Sequence, residues 1–140
     1  MELIEVEKLY NDRLWVIKVN ENSRTAVDAW EACVREYMAT IPIGTERYLV
    51  YDTADILSFG FTTYLQNRAT VLANDNPDAT GRIAIVLNLP ATIRYLIESF
   101  MEWTGSRIQP DLTVKFFGSR DEAIQWVAEI IPATQDLSEH

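Results

Sequence analysis

The sequence predicts an α/β fold: a single domain with a mixed, mostly parallel five-stranded sheet and about four helices in the order ββαβαβαβα. Apolar runs of strand length alternate with stretches whose apolar residues recur at helical spacing, which is typical of β-α-β units. The first two runs are joined by a short polar connector, which indicates a hairpin. With 140 residues, 48% of them hydrophobic, the chain suits one domain.

The first part of the chain predicts the hairpin and one helix. Residues 3–10 and 14–19 alternate as strands around a polar connector at 11–13. Thr25 and Asp28 resemble a capping box for a helix with an apolar stripe and a polar face. The stripe contains Val27, Trp30, Val34 and Tyr37, and the polar face contains Asp28, Glu31, Arg35 and Glu36. Cys33 adjoins the stripe and is predicted to be a small core residue.

The middle of the chain predicts two strands with a helix between them. Residues 48–51 form a buried-strand pattern that ends at Asp52. Phe61, Leu65, Ala69 and Leu72 then predict a second helix, which polar residues at 74–78 stop. Residues 82–88 contain five consecutive apolar residues, which indicates a strand covered on both faces.

The last part predicts a helix, a strand and a further helix. Thr92 caps the predicted third helix and Gly105 ends it. Residues 112–117 predict the last strand, and Ser119 with Glu122 forms a capping box for the last helix. We expect the domain to span residues 1–132 and a polar tail to occupy 133–140.

Composition restricts the partners and the location. The chain has 21 acidic and 12 basic residues, and a net charge of −9 disfavours nucleic acid and anionic membrane surfaces. No apolar run approaches the roughly 18 residues of a membrane-spanning helix, so the chain is not expected to be an integral membrane protein. The acidic start does not resemble a secretory signal, and a lone cysteine suits a reducing compartment. A cytoplasmic location is therefore predicted.

The sequence predicts neither a cofactor nor a catalytic triad. The only histidine is His140 in the predicted tail, which disfavours Ser-His-Asp, Cys-His and histidine-rich metal sites. Neither glycine-rich phosphate-binding pattern is present. We therefore expect that the chain is not an enzyme.

The candidate site is the polar segment from Asp52 to Gly60, because ligands gather beyond the carboxyl ends of strands in open α/β sheets. Asp52 and Asp55 suit proton sharing or Mg²⁺, although aspartates in turns commonly bind nearby backbone amides. Ser58 precedes Phe59 and Gly60 where a serine caps the amides of a helix, and those amides would also tolerate a phosphate.

A set of aromatic residues accompanies the second and third predicted helices. The set comprises Phe59, Phe61, Tyr64, Phe100 and Trp103. Aromatic stripes usually belong to the core. The alternative is that some of these side chains line an apolar pocket or an exposed interface.

The segment from Val114 to Val127 resembles the final strand, serine cap, Glu-Ala pair and helix tryptophan of the STAS, or SpoIIAA-like, superfamily of anti-sigma-factor antagonists. It is most similar to the uncharacterised STAS/SEC14-like branch. In regulatory members a serine in an Asp-Ser-Ser-Gly-like segment is phosphorylated, which releases an anti-sigma factor. Ser58 and Gly60 match that segment here, whereas Leu57 and Phe59 depart from it. The resemblance implies a SpoIIAA-like fold and a regulatory role, and kinship to lipid-transfer domains implies an apolar ligand as an alternative.

The leading functional prediction is a regulatory protein-interaction domain that docks on a protein partner through the Asp52–Gly60 segment and the following helix. A homodimer and an apolar small molecule are further candidate partners. One alternative is a carrier of a lipid-like molecule held between the second and third predicted helices. The other is an enzyme that uses Asp52 and Asp55.

Overall fold

A computed structural model describes residues 3–42, 45–54, 63–76, 78–88, 90 and 111–132. Five strands and three helices lie in these ranges. The strands are β1 (Ile4–Leu9), β2 (Leu14–Val19), β3 (Arg47–Asp52), β4 (Gly81–Val86) and β5 (Leu112–Phe117). The helices are α1 (Arg24–Thr40), α2 (Thr63–Asp75) and α3 (Arg120–Ala128). The predicted helix over 92–104 lies outside the described residues, as does the tail at 133–140.

The five strands form one sheet in which the spatial order follows the chain, β1-β2-β3-β4-β5. β1 and β2 are antiparallel, and every later neighbouring pair is parallel. The predicted α/β class, the opening hairpin and the mixed, mostly parallel sheet are therefore confirmed. All parallel strands end at one edge of the sheet, which places Asp52 beside Val86 and Lys18.

One face of the sheet is covered by α1 and α2. Trp15 and Ile17 of β2 and Leu49 and Tyr51 of β3 point to this face, as the two-residue period of a strand requires. They pack against the apolar stripe of α1 and against Leu65 and Leu72 of α2. The stripe of Val27, Trp30, Val34 and Tyr37 is buried, as predicted.

The opposite face is covered by α3. Val16, Val50 and Val86 point to this face and pack against Ala123 and Val127 of the helix. Each of these five residues is almost fully buried. Because both faces of β2 and β3 are covered, these strands are continuous apolar runs and not alternating ones.

Serine side chains cap the starts of α1 and α3. Ser119 accepts a hydrogen bond from the backbone N–H of Glu122, which confirms the predicted cap. α1, by contrast, is capped by Ser23, whose hydroxyl accepts from the N–H of Ala26. The prediction that Thr25 is the cap was wrong, because Ser23 has the extended backbone of a cap residue and Thr25 already lies inside the helix.

Two tight places in the backbone lie at the amino-terminal edge of the parallel strands. Gly81 starts β4 with a φ of +116°, and a Cβ atom there would lie 2.1 Å from the carbonyl oxygen of Arg47. The hairpin turn places Tyr10, Asn11 and Asp12 at φ values of 54°, 58° and 65°.

None of the helices in the described ranges is long and apolar enough to cross a membrane.

Candidate functional site

Asp52 is the last residue of β3 and is buried, with 7% of its surface exposed. Its Oδ1 accepts a hydrogen bond from the N–H of Ala54 at 3.1 Å. Its Oδ2 lies 3.5 Å from the guanidinium of Arg120. One carboxylate oxygen therefore shapes the backbone turn after the strand, while the other faces a cation from α3.

Thr53 fixes the start of the same segment to the neighbouring strand. Its hydroxyl donates a hydrogen bond to the carbonyl oxygen of Val86 at 2.7 Å, and its N–H donates to the same oxygen at 3.0 Å. Thr53 is 2% exposed. Sequence reasoning did not single out this residue, although a threonine directly after a buried strand is a signal that could have identified it.

Arg120 joins the site to the edge of the sheet. It is the first residue of α3, and one guanidinium nitrogen lies 2.9 Å from Oε1 of Glu7 on β1. The other terminal nitrogen faces Asp52. A single side chain therefore links β1, the end of β3 and the start of α3. Sequence reasoning did not identify Arg120, because its two carboxylate partners are distant in the chain.

A row of charged residues crosses the sheet at the level of Asp52. Glu5 pairs with Lys18 across β1 and β2, and Lys18 pairs with Asp52 across β2 and β3. Partners in register point to the same face of a sheet, here the face that carries α3. The carboxyl end of the sheet is thus polar on the side where Arg120 lies.

Most of the predicted site residues lie outside the described residues. These are Asp55, Ser58, Phe59, Gly60, Phe61, Phe100 and Trp103. Tyr64 is described, and its hydroxyl donates a short hydrogen bond to the carboxylate of Asp28 on α1. The guanidinium of Arg24 lies 5.0 Å from the centre of the Tyr64 ring. The hydrogen bond to Asp28 raises the pKa of Tyr64.

A second charged cluster, which we call the helix clasp, joins α1 to α2 through Glu31, Arg35, Arg68 and Asp75. Glu31 is 7% exposed, although the helical pattern assigns it to the polar face. Arg68 donates to both of its oxygens, at 2.6 and 2.7 Å, and Arg35 contacts both Glu31 and Asp75. The hydrogen bond from Arg68 is the main reason that the pKa of Glu31 is lowered.

The core beneath α1 contains a polar atom that has no partner among the described residues. This atom is the buried Nε1 of Trp30, for which that part of the chain supplies no hydrogen-bond acceptor. The Trp30 ring meets the ring of Tyr51 edge to face, with centroids 5.4 Å apart. Burial raises the pKa of Tyr51, so its hydroxyl stays protonated. A buried donor without an acceptor costs about 1–3 kcal/mol, which makes this position unusual.

In the described part of the chain, neither a metal site nor a reactive thiol is supported. Within it, no three carboxylate, histidine or cysteine side chains gather into a group that could hold a metal ion. Cys33 is buried, as predicted, and burial raises the pKa of its thiol to about 11. A buried thiol with a raised pKa is a poor nucleophile.

Comparison with protein-family models, with curated proteins and with solved structures finds no match. The resemblance to the SpoIIAA-like superfamily therefore stays a prediction from the sequence.

Proposed function

We propose that this chain is a small, cytoplasmic, non-catalytic regulatory domain that binds a protein partner through the segment from Asp52 to Gly60 and the helix that follows. The observation that carries the proposal is that both carboxylate oxygens of Asp52 already have partners. Both of its oxygens engage groups of the protein itself, the Ala54 amide and the Arg120 guanidinium. A carboxylate held in this way orients a segment for recognition and is poorly placed to act as a base or nucleophile.

The anchoring of Thr53 supports the same interpretation. Its two hydrogen bonds to Val86 tie the first residue after β3 to the neighbouring strand. A binding segment that starts from a fixed point loses less conformational entropy when a partner binds. The anchored start therefore favours a recognition segment over an unconstrained linker.

The test compares partner recovery with tagged wild type, Ser58→Asp and Ser138→Asp, each purified from the protein's own host. Negative charge in a docking segment costs desolvation and repulsion, so Ser58→Asp is expected to reduce recovery of the partner at least about tenfold. Ser138→Asp adds the same charge in the predicted tail and is expected to leave recovery unchanged. Equal recovery with all three proteins contradicts docking through this segment.

A second candidate function is the binding of a lipid-like molecule. The Nε1 of Trp30, which has no acceptor within the described ranges, favours it. This donor lies in an apolar core that is formed by α1, α2 and the sheet. A ligand with an apolar body and one acceptor oxygen would satisfy the donor and gain from apolar burial. The sequence-based alternative of an enzyme that uses Asp52 and Asp55 receives no comparable support.

The ligand hypothesis is tested by mass spectrometry of protein purified from its own host under native and denaturing conditions. A bound ligand adds mass in the native spectrum only, and Trp30→Phe, which removes the donor but keeps an aromatic ring, is expected to lower its occupancy. A phosphate on Ser58 adds mass in both spectra and instead supports the regulatory function. A native mass that equals the bare chain in wild type contradicts the ligand hypothesis.

A further inference from the structure

β1 is a terminal strand of the sheet, and in the described part of the chain it pairs only with β2. The N–H of Asn20 donates to the carbonyl oxygen of Leu3 at 2.9 Å, so these two residues form a hydrogen-bonded pair. In an antiparallel ladder such pairs alternate with pairs that lack mutual hydrogen bonds. The register then directs the backbone N–H and C=O groups of Ile4, Val6 and Lys8 away from β2.

The side chains of β1 give this edge two different faces. Val6 lies on the α1 side, and with 40% of its surface exposed it is one of the few exposed large hydrophobic residues in the described ranges. Glu5 and Glu7 are exposed on the α3 side. Tyr10, just beyond the strand, is 43% exposed. The α3 side of the edge is therefore acidic, whereas the α1 side carries Val6 together with Lys8, whose ammonium lies 4.5 Å from the centre of the Trp15 ring.

Both glutamates already make one contact within the protein. Oε2 of Glu5 accepts from Nδ2 of Asn20 at 3.0 Å, and Oε1 of Glu7 accepts from Arg120 at 2.9 Å. The Glu7 side chain is still 53% exposed. These contacts fix the two carboxylates on one face of the sheet edge without covering them, although Arg120 offsets part of the charge of Glu7.

A second copy of the chain is a poor occupant of this edge. Two copies that extend one sheet through antiparallel β1 strands are related by an axis perpendicular to the sheet, so opposed residues come from the same face. If Val6 opposes Val6, then Glu5 of one copy opposes Glu7 of the other. If the register shifts by one residue on each strand, Glu7 opposes Glu7. Like charges directly opposite each other destabilise strand pairing.

We propose that the outer edge of β1 binds an extended segment of a protein partner that alternates basic with apolar side chains. The partner's backbone would bond the outward groups of Val6 and Lys8, as in other cases of strand addition. Its basic side chains would oppose Glu5 and Glu7, and its apolar side chains would pack on Val6. This site shares no residue with the Asp52–Gly60 segment, to which Arg120 connects it, and its test does not depend on the proposed regulatory function.

The first experiment measures amide hydrogen exchange by NMR with a short synthetic peptide that alternates lysine with valine. At a peptide concentration ten times its Kd, exchange of the Val6 and Lys8 amides is expected to slow about tenfold. The amides of Glu5 and Glu7, which already bond β2, are expected to change little. A peptide of the same composition with its lysines clustered is the control for unspecific attraction to a protein of net charge −9.

Two variants make the test specific. Val6→Pro removes an N–H that points outward and spares the ladder to β2, so it is expected to weaken binding about tenfold. Val6→Ile keeps both the N–H and an apolar side chain and is expected to bind like wild type. The double variant Glu5→Gln with Glu7→Gln keeps the strand backbone and is expected to reduce the preference for the alternating lysine peptide to that for the peptide with clustered lysines.

Three outcomes overturn the proposal. One is unchanged exchange at Val6 and Lys8 with the alternating peptide. Another is equal binding of the alternating lysine peptide and a matched glutamate peptide to wild type. The third is slowing of the same two amides with rising protein concentration and no peptide, which would make a second copy the occupant.

Discussion

The guanidinium of Arg68 holds the buried carboxylate of Glu31 through two hydrogen bonds that join α2 to α1. Glu31 is removed from water on the core side of this contact, while Arg68 remains partly exposed. An ionised carboxylate in such a position is stable only with its partners, because burial of an unpaired charge is costly. The helix clasp therefore makes the position of α2 depend on charge as well as on apolar packing.

Glu31→Gln is expected to destabilise the protein at neutral pH and to change its pH dependence. The folded pKa of Glu31 is lowered from its usual 4.5, so its contribution is present above that pH and is lost as the pH falls through the folded pKa. The gap in unfolding free energy between wild type and variant should therefore narrow in acid. Chemical denaturation between pH 7 and pH 3 measures it.

Glu36→Gln is the matched control, since Glu36 is an exposed residue of the same helix. We expect this variant to stay within about 0.5 kcal/mol of wild type at neutral pH, as surface substitutions usually do. A Glu31→Gln variant that follows the Glu36→Gln curve at every pH would contradict a stabilising role for the clasp.

Tyr37→Phe is expected to lower the unfolding free energy by about 1–3 kcal/mol at pH 7, because the buried N–H of Tyr48 loses its acceptor. The Tyr37 hydroxyl donates to the carbonyl oxygen of Arg13 at 2.7 Å and accepts from the N–H of Tyr48 at 2.9 Å. Urea denaturation measures the loss. Tyr10→Phe, which removes an exposed hydroxyl, is the control and should change stability little.

The difference in unfolding free energy between wild type and Tyr37→Phe is also expected to depend on pH in the alkaline range. Burial raises the pKa of Tyr37 from 10.0 to about 12, so its stabilising contribution is complete below pH 10 and is lost as the pH rises through about 12. Phenylalanine cannot ionise. The difference between wild type and Tyr37→Phe should therefore shrink above pH 10, and a constant difference would argue against the buried hydroxyl.

Gly81→Ala is expected to destabilise the protein by about 3 kcal/mol, because an added Cβ collides with backbone and the φ of +116° is strained for alanine. The neighbouring atoms are the backbone oxygen and nitrogen of Arg47, which cannot move without breaking the pairing of β3 with β4. Thermal unfolding measures the loss. Thr80→Ala, one residue earlier, is the control, and equal melting temperatures of the two variants would contradict the prediction.

Cys33 is expected to react slowly with thiol reagents in the folded protein. A pKa raised from 9.0 to about 11 lowers the thiolate fraction about a hundredfold at pH 8, and burial slows access further. A colorimetric thiol assay compares it with Glu36→Cys in a Cys33→Ala background, which places a thiol on the exposed side of the same helix. Similar rates for the two proteins would contradict the buried position of Cys33.

The sequence predicted those features that depend on neighbouring residues. The strand at 112–117, the cap at Ser119 and the end of β3 at Asp52 follow from local apolar patterns and cap chemistry, and the structure confirms them. The sequence also predicted that the strand at 82–88 is covered on both faces, since apolar runs without alternation require such cover.

The sequence did not predict contacts between residues that are distant in the chain. The helical spacing of Glu31 assigns it to the polar face of α1. It is buried because Arg68 of α2 pairs with its carboxylate. Arg120 meets Glu7 and Asp52 because the sheet places β1, β3 and the start of α3 together. Such contacts depend on three-dimensional register, which a one-dimensional pattern does not contain.

The sequential strand order has a consequence for how the protein folds during its synthesis on the ribosome. Each strand docks beside the one synthesised before it, so the sheet can grow from β1 toward β5 as the chain emerges, and domains do fold during synthesis. α3 is the last described element, and it supplies Ala123 and Val127 to the second core. Until those residues leave the exit tunnel, Val16 and Val50 face water on one side, and this apolar surface is what a chaperone would bind in the nascent chain.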